Sequence, residues 1–213
     1  DGSTFTLASD VKIIGITGPS GAGKSMLSPA FEKRNIPVID ADAIYHSLLL
    51  PPSECLDAIR SAFGGGVIAP DGTLDRAALG AIGFSSKETL ALLNKTVRSR
   101  VIARIRELIA SYGDQGAIAV AVDAPTLIES GFDRECDFVI SVLAPKSDRI
   151  ERIMARDSIS REKAELRINA QKGDEFYISA SDEILTNDGT REQLILKADG
   201  VIEKILSAEV TDA

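Results

Sequence analysis

The sequence predicts an α/β protein, a parallel sheet flanked by helices. Two observations carry this. Five apolar stretches of strand character, at residues 11–17, 37–39, 117–122, 138–143 and 182–185, alternate with helical patterns, and such alternation yields parallel strands joined by helical crossovers. Between the first stretch and the helix after it lies Gly18-Pro19-Ser20-Gly21-Ala22-Gly23-Lys24-Ser25. It fits the phosphate-loop pattern G-x-x-x-x-G-K-[ST] at every fixed position, in the strand-loop-helix setting that pattern requires.

The elements follow in order. Val11-Lys12-Ile13-Ile14-Gly15-Ile16-Thr17 is apolar and β-branched, a buried strand. Residues 26–34 read as a helix, with Pro29 inside it, where a missing donor should bend it. The second strand ends in Asp40-Ala41-Asp42. Residues 48–115 exceed a normal crossover and carry their own turns, Gly64-Gly65-Gly66 and Pro70-Asp71-Gly72. Ser85-Ser86-Lys87-Glu88 reads as a capping box. The helix after it has core-type residues at helical spacing: Leu92, Leu93, Val97, Val101, Ile102, Ile105, Leu108 and Ile109. The third strand ends at Asp123. Residues 147–174 are charge-dense, helical in pattern and poor in large apolar residues, which predicts a mobile segment with little buried area. Asn187-Asp188-Gly189 makes a turn, Thr190-Arg191-Glu192-Gln193 opens the last helix with a capping box, and the tail beyond Ser207 is expected to fray.

Bulk properties narrow the function. The 213 residues suffice for one sizeable domain with insertions. A net charge of −8 argues against a general nucleic-acid binder. Cys55 and Cys136 are far apart and suggest neither a disulfide framework nor a zinc site, which favours a reducing cytoplasm. No apolar run reaches transmembrane length, so no membrane partner is expected. Residues 1–10 lack the basic and apolar regions of a signal peptide and read as a flexible leader.

The loop glycines let successive backbone N–H groups turn around a phosphate, and the helix after them points its positive end the same way. Lys24 can reach the β- and γ-phosphates of ATP, and Ser25 can offer its hydroxyl to Mg²⁺. Asp40 and Asp42 close the second strand, at the sheet edge where ligands bind in open α/β folds. One suits a helix cap; the other suits a metal-bound water or a proton from an attacking hydroxyl. His46, the only histidine, lies four residues after Asp42, on the same helix face. It fits a substrate phosphate or ordinary surface packing. Asp123 resembles the acidic strand end that supports Mg²⁺ in phosphate-loop proteins. Arg149, Arg152 and Arg156 are spaced to line one helix face, with Arg161 and Arg167 following. They suit a lid closing over a triphosphate, but the pattern alone favours a solvated face paired with Asp148, Glu151 and Asp157.

With these pieces placed, the chain resembles the dephospho-coenzyme A kinase family from Val11 to Ile205. The resemblance rests on Ile16-Thr17-Gly18 entering the loop, Val38-Ile39-Asp40-Ala41-Asp42-Ala43-Ile44-Tyr45-His46, Asp71-Gly72-Thr73-Leu74-Asp75-Arg76 and Leu93-Asn94. Further matches are Val122-Asp123-Ala124-Pro125-Thr126-Leu127-Ile128-Glu129, Arg152-Ile153-Met154-Ala155-Arg156-Asp157, Arg167-Ile168-Asn169-Ala170-Gln171 and Thr186-Asn187-Asp188-Gly189.

The resemblance implies a P-loop NTPase fold like that of nucleoside monophosphate kinases. It implies core parts at 11–47, 116–146 and 175–213, a helical coenzyme A-binding insertion at 48–115 and a lid at 147–174. It implies ATP as donor, Mg²⁺, and the ribose 3′-hydroxyl of dephospho-coenzyme A as acceptor, in a cytoplasmic monomer or small homo-oligomer. Asp42 maps to the proposed base, Arg152 and Arg156 to the lid arginines, and Asn187 to a loop near the ATP base. Asp40, Asp42, His46, Leu127 and Glu129 fall on the acceptor side. Two departures lie there too: Thr96-Val97-Arg98-Ser99 stands where the family usually has a His-Pro pair, and Thr126-Leu127 where it usually has Leu-Leu. Without the resemblance, the alternatives are a kinase of another small acceptor, such as a nucleoside monophosphate, or a nucleotide-dependent switch or binding module. The Asp40-Ala41-Asp42 segment and the long insertion favour a bound second substrate.

Overall fold

A computed structural model describes residues 11–83 and 87–207. The leader, the Ser85-Ser86 start of the expected capping box and the tail beyond Ser207 lie outside the described residues. In order, the elements are β1 (Lys12–Thr17), a 3-10 turn at Lys24–Leu27, α1 (Ser28–Glu32), β2 (Val38–Asp40), α2 (Ala41–Leu48), α3 (Glu54–Phe63) and a 3-10 turn at Gly65–Val67. Next come α4 (Arg76–Gly83), α5 (Lys87–Asp114), β3 (Ala119–Asp123), α6 (Leu127–Ser130), a 3-10 turn at Phe132–Glu135 and β4 (Phe138–Leu143). The chain continues with α7 (Lys146–Asp157), α8 (Arg161–Asn169), α9 (Asp174–Ile178), β5 (Glu183–Thr186) and α10 (Arg191–Ser207). Among the described residues, no helix is long and apolar enough to cross a membrane.

The five strands form one parallel sheet in the order β2-β3-β1-β4-β5. β1 is central, pairing Ile16 with Asp123 of β3 and with Ile140 of β4. The connection from β3 to β4 crosses to the other side of β1. The strand order therefore reverses at β1, which puts the glycine loop at the switch point where such sheets bind ligands.

Strand alternation sorts the core. Ile14 and Ile16 share a buried cluster with Leu27, Phe31, Ile140, Val142, Leu194 and Ile202, from the loop helix, β4 and α10. Gly15 points the other way, where a Cβ would meet Leu127 at 2.6 Å and the Cys136 sulfur at 2.8 Å. Asp199 of α10 pairs with Arg34 and, at 3.3 Å, with Lys33, which fixes the end of the loop helix.

The expected helix at 26–34 is two short pieces: the 3-10 turn passes into α1 at Ser28. Pro29 is the reason. It stands in the first turn of α1, where the missing N–H would have had no intrahelical partner. The capping box at α10 forms: Thr190 N donates to Gln193 Oε1 at 2.9 Å, and Gln193 N to Thr190 Oγ1 at 3.2 Å.

By compactness the chain divides into two units, one of residues up to Ile39 and from Ile109 onward, the other Asp40–Leu108. The second has its own core of Leu49, Cys55, Leu56, Ile59, Val67, Leu79 and Val97. Its turn at Asp71-Gly72 is closed by Asp71 Oδ1, which accepts from Thr73 N at 3.0 Å and Thr73 Oγ1 at 2.6 Å. On α5 the apolar stripe is buried at Val97 and Ile105, but Leu92 is exposed, on the opposite side of the helix from that core.

Candidate active site

The loop leaves β1 at Thr17, which is fully buried and donates from Oγ1 to Pro125 O at 3.4 Å. Ala124 N donates to Ile16 O at 3.0 Å. These bonds tie the turn after β3 to the loop entrance and set Asp123 beside it. The loop then winds back on itself, Ala22 N donating to Pro19 O at 3.2 Å. Gly23 has φ 102°, and a Cβ there would collide with the Asn187 amide. Only glycine fits both the left-handed backbone and the close approach.

Side chains meet the carbonyls of the loop. Lys24 Nζ donates to Gly18 O at 2.9 Å and Pro19 O at 3.5 Å. Arg149 Nε donates to Ser20 O at 3.0 Å, and Arg152 Nη1 to Gly21 O at 3.1 Å. Asn187 Nδ2 donates to Ala22 O at 2.8 Å. Arg156 Nη2 reaches Ser20 Oγ at 3.3 Å. The arginine face is therefore turned onto the loop, which corrects the solvated-face pattern. The partial pairing with acids is also present: Arg156 Nε bonds Asp157 at 2.7 Å, Arg167 bonds the same carboxylate, and Arg152 lies 3.9 Å from Asp148. These hydrogen bonds, Arg156 foremost, hold the Asp157 carboxyl down to about 2.

The segment 147–174 differs from the expectation of little buried area. α7 and α8 pack on each other through Ile150, Ile153, Ala164 and Ile168. Arg149 is itself buried, 5% exposed, in phase with Ile153 on the apolar face. Burial lowers its pKa from the ordinary arginine value, against the neighbouring Asp174 and Tyr177, which raise it. Tyr177 is buried as well and its hydroxyl is pushed up, first by burial and then by Glu129.

Asn187 is buried and bonded to the loop. Its side chain is 2% exposed and its amide serves the loop backbone, with its own N–H donating to Leu143 O at 2.7 Å. The exposed residues of that turn are Asp188 and Gly189. Leu127 is fully buried against Gly15. Glu129, on α6, is exposed.

In the unit of residues 40–108, Asp40 caps α2, its Oδ1 accepting from Ala43 N at 3.0 Å. Asp42 is exposed in the first turn of α2, and His46 is exposed one turn on, its ring edge-to-face with Tyr45. This division separates a structural carboxylate from one whose oxygens face solvent.

For Mg²⁺, the loop side offers the exposed Ser25 hydroxyl and the Asp123 carboxylate, whose Oδ1 is buried. Both are hard oxygen donors of the kind Mg²⁺ takes. Among the described residues no cluster of three or more His, Cys, Asp or Glu is assembled. Sequence reasoning gave Gln171 no role; its Oε1 accepts from Ser20 N at 3.2 Å. The available signal was its place one turn beyond Ile168, on the buried side of α8.

A central parallel strand feeding a glycine-rich lysine loop, ringed by arginines from a helical hairpin, defines a P-loop kinase. Comparison with known proteins resolves the class further. The chain belongs to the dephospho-CoA kinase family, whose model matches residues 12–193. It is 34% identical over 194 residues to the dephospho-CoA kinase of Corynebacterium glutamicum, covering 91% of this chain and 97% of that one. It is 38% identical over 192 residues to that of Thermobifida fusca, covering 90% and 95%. The solved dephospho-CoA kinase from Campylobacter jejuni superposes with a TM-score of 0.65 at 27% identity, over 91% of this chain and 96% of that one.

Proposed function

We infer that this protein phosphorylates the ribose 3′-hydroxyl of dephospho-coenzyme A with ATP, yielding coenzyme A and ADP. The observation that carries the reading is the family match across residues 12–193 together with an assembled P-loop.

The loop N–H groups bind the β- and γ-phosphates, and Lys24, held at the loop rim, moves from Gly18 O to a phosphate oxygen. Ser25 and Asp123 would hold Mg²⁺, which when bound would offset charge on the β- and γ-phosphates. Asp42, exposed at the start of α2, accepts the hydroxyl proton at a carboxylate oxygen as the acceptor oxygen attacks phosphorus in line. Arg152 and Arg156 stabilise the transferring phosphoryl. Asp40 acts through the cap of α2, and His46 and Glu129 contribute to acceptor binding. The insertion at 48–115 supplies the acceptor-binding surface, and 147–174 the lid.

The test is an ADP-release assay with Mg-ATP and a panel of acceptors. Turnover with dephospho-coenzyme A should far exceed both the acceptor-free rate and that with nucleoside monophosphates, and the product should carry a 3′-phosphate. Equal turnover with and without acceptor would favour a slow nucleotide-hydrolysing switch instead.

A further inference from the structure

We propose that Arg149 and Gln171 are positioning residues for nucleotide binding: together they clamp the Ser20 peptide and hold the P-loop in its phosphate-receiving shape. The proposal rests on reading residues 18–25 as the donor site. Three hydrogen bonds close around one stretch of loop. Arg149 Nε donates to Ser20 O at 3.0 Å, Ser20 N donates to Gln171 Oε1 at 3.2 Å, and Arg149 Nη2 donates to the same Oε1 at 3.0 Å. Two donors converge on one atom, which fixes the amide oxygen there. The loop has no slack beside the clamp. Gly21 has φ 79°, and a Cβ would meet Arg149 O at 2.7 Å.

Burial divides the arginines by task. Arg149 is 5% exposed, its Nε bonded to Ser20 O and its Nη2 to Gln171 Oε1, so its guanidinium is held at the loop. The Arg156 side chain is 58% exposed and able to turn toward a phosphoryl group. A clamp formed before ATP arrives contributes equally to ground and transition states, so its loss raises KM and leaves kcat. It also removes an ordering cost that binding would otherwise carry.

The test measures Mg-ADP affinity by calorimetry and kcat and KM for ATP with dephospho-coenzyme A. Gln171 is the first target because it is only half-buried. Gln171→Leu keeps the shape without the acceptor. It should weaken Mg-ADP binding and raise KM for ATP by about tenfold or more, since the neutral Ser20 N–H bond and the charge-assisted Arg149 bond are both lost, with kcat within about twofold. Gln171→Glu keeps an acceptor oxygen facing Ser20 N–H and Arg149, and should restore wild-type affinity. Arg149→Lys keeps the charge but not the fork, and should behave like Gln171→Leu. Unchanged affinity in Gln171→Leu overturns the clamp, as does a loss confined to kcat or a Gln171→Glu variant as weak as Gln171→Leu. Failure of the wild-type protein to bind Mg-ADP overturns the donor-site reading itself and the clamp with it.

Discussion

Asn187 gives a sharp test of how the loop is braced. Its amide donates to Ala22 O at 2.8 Å from a buried position, beside Gly23 and Met26 Sδ. Asn187→Ala leaves that carbonyl with only a 3.5 Å contact from Arg152. A buried acceptor deprived of its donor costs about 1–3 kcal/mol. For a chain of this size each kcal/mol moves Tm by about 2–4 °C, so near the middle of that range Tm falls by roughly 4–8 °C. Asn187→Asp keeps the shape but turns an oxygen toward the Ala22 oxygen, and a charge joins it in a buried site. It should destabilise more than Asn187→Ala. Because the carbonyl belongs to the loop, KM for ATP should rise in both variants, by about tenfold if some 1.4 kcal/mol of loop order is lost. Thermal unfolding with and without Mg-ADP, alongside steady-state kinetics, reads both effects. An Asn187→Asp protein with wild-type Tm and KM would refute the bracing role. An altered ATP-to-GTP preference at unchanged Tm would instead return Asn187 to the nucleotide base.

Four further outcomes are expected. Lys24→Ala should lower kcat by at least about a hundredfold, the scale of losing one charge-stabilising donor, while the melting curve stays near wild type; unchanged kcat and KM for ATP would show that the loop is not the donor site. Asp42→Asn should cut kcat by about a hundred- to ten-thousandfold with Mg-ADP binding retained, whereas Asp40→Asn, still able to cap α2, should change little, and Asp40→Ala should cost ~1 kcal/mol of stability; the reverse ranking would exchange their roles. Arg156→Ala should reduce kcat more than nucleotide affinity. Hydrogen exchange should show nucleotide-dependent protection around 156–167, with residues 149–153 protected in both states; uniform change across α7 would mean the hairpin moves as one body. Cys136 has its thiol pushed up to about 12, by burial first and then by Asp133 and its acidic neighbours, and burial raises Cys55 too, against Arg100, which lowers it. Rapid native labelling by a thiol reagent at pH 8 would contradict this; both thiols should react only after denaturation.

Much of the sheet was legible because its signals are local. Each strand is a short apolar run, and the P-loop is a contiguous motif whose geometry follows from its own glycines. The Thr190–Gln193 box and the Asp40 cap are likewise local, each joining residues three apart. What stayed hidden depends on partners distant in sequence. Arg149 reads as one more charge on a polar helix until the loop carbonyl of Ser20 is seen beside it. Gln171 and Asn187 sit in segments that carry the family resemblance, but nothing local shows that they bond the loop backbone at Ser20 and Ala22. Leu127 reads as an acceptor contact by position along the chain, but the missing side chain at Gly15 opens a space in the core that Leu127 fills. Pro29 appeared to break a helix that in fact begins one residue earlier.

Charge placement explains how a chain with a net charge of −8 can present a triphosphate site. At physiological ionic strength charges are screened over about 8 Å, so the acidic excess on distant surfaces contributes little at the loop. Contacts at hydrogen-bonding distance are screened far less. There, Lys24, Arg149 and Arg152 donate to the loop carbonyls of Gly18, Ser20 and Gly21. A cation on the Ser20 carbonyl polarises that peptide unit and makes the Gly21 N–H a better donor. Arg149 therefore acts twice, by shaping the loop and by strengthening its field. Asp148 and Asp157 serve that arrangement by orienting Arg152 and Arg156 along the loop. A sequence count sees these acids as cancelling the arginines. In three dimensions they aim them, and local geometry rather than net charge decides that the site takes an anion.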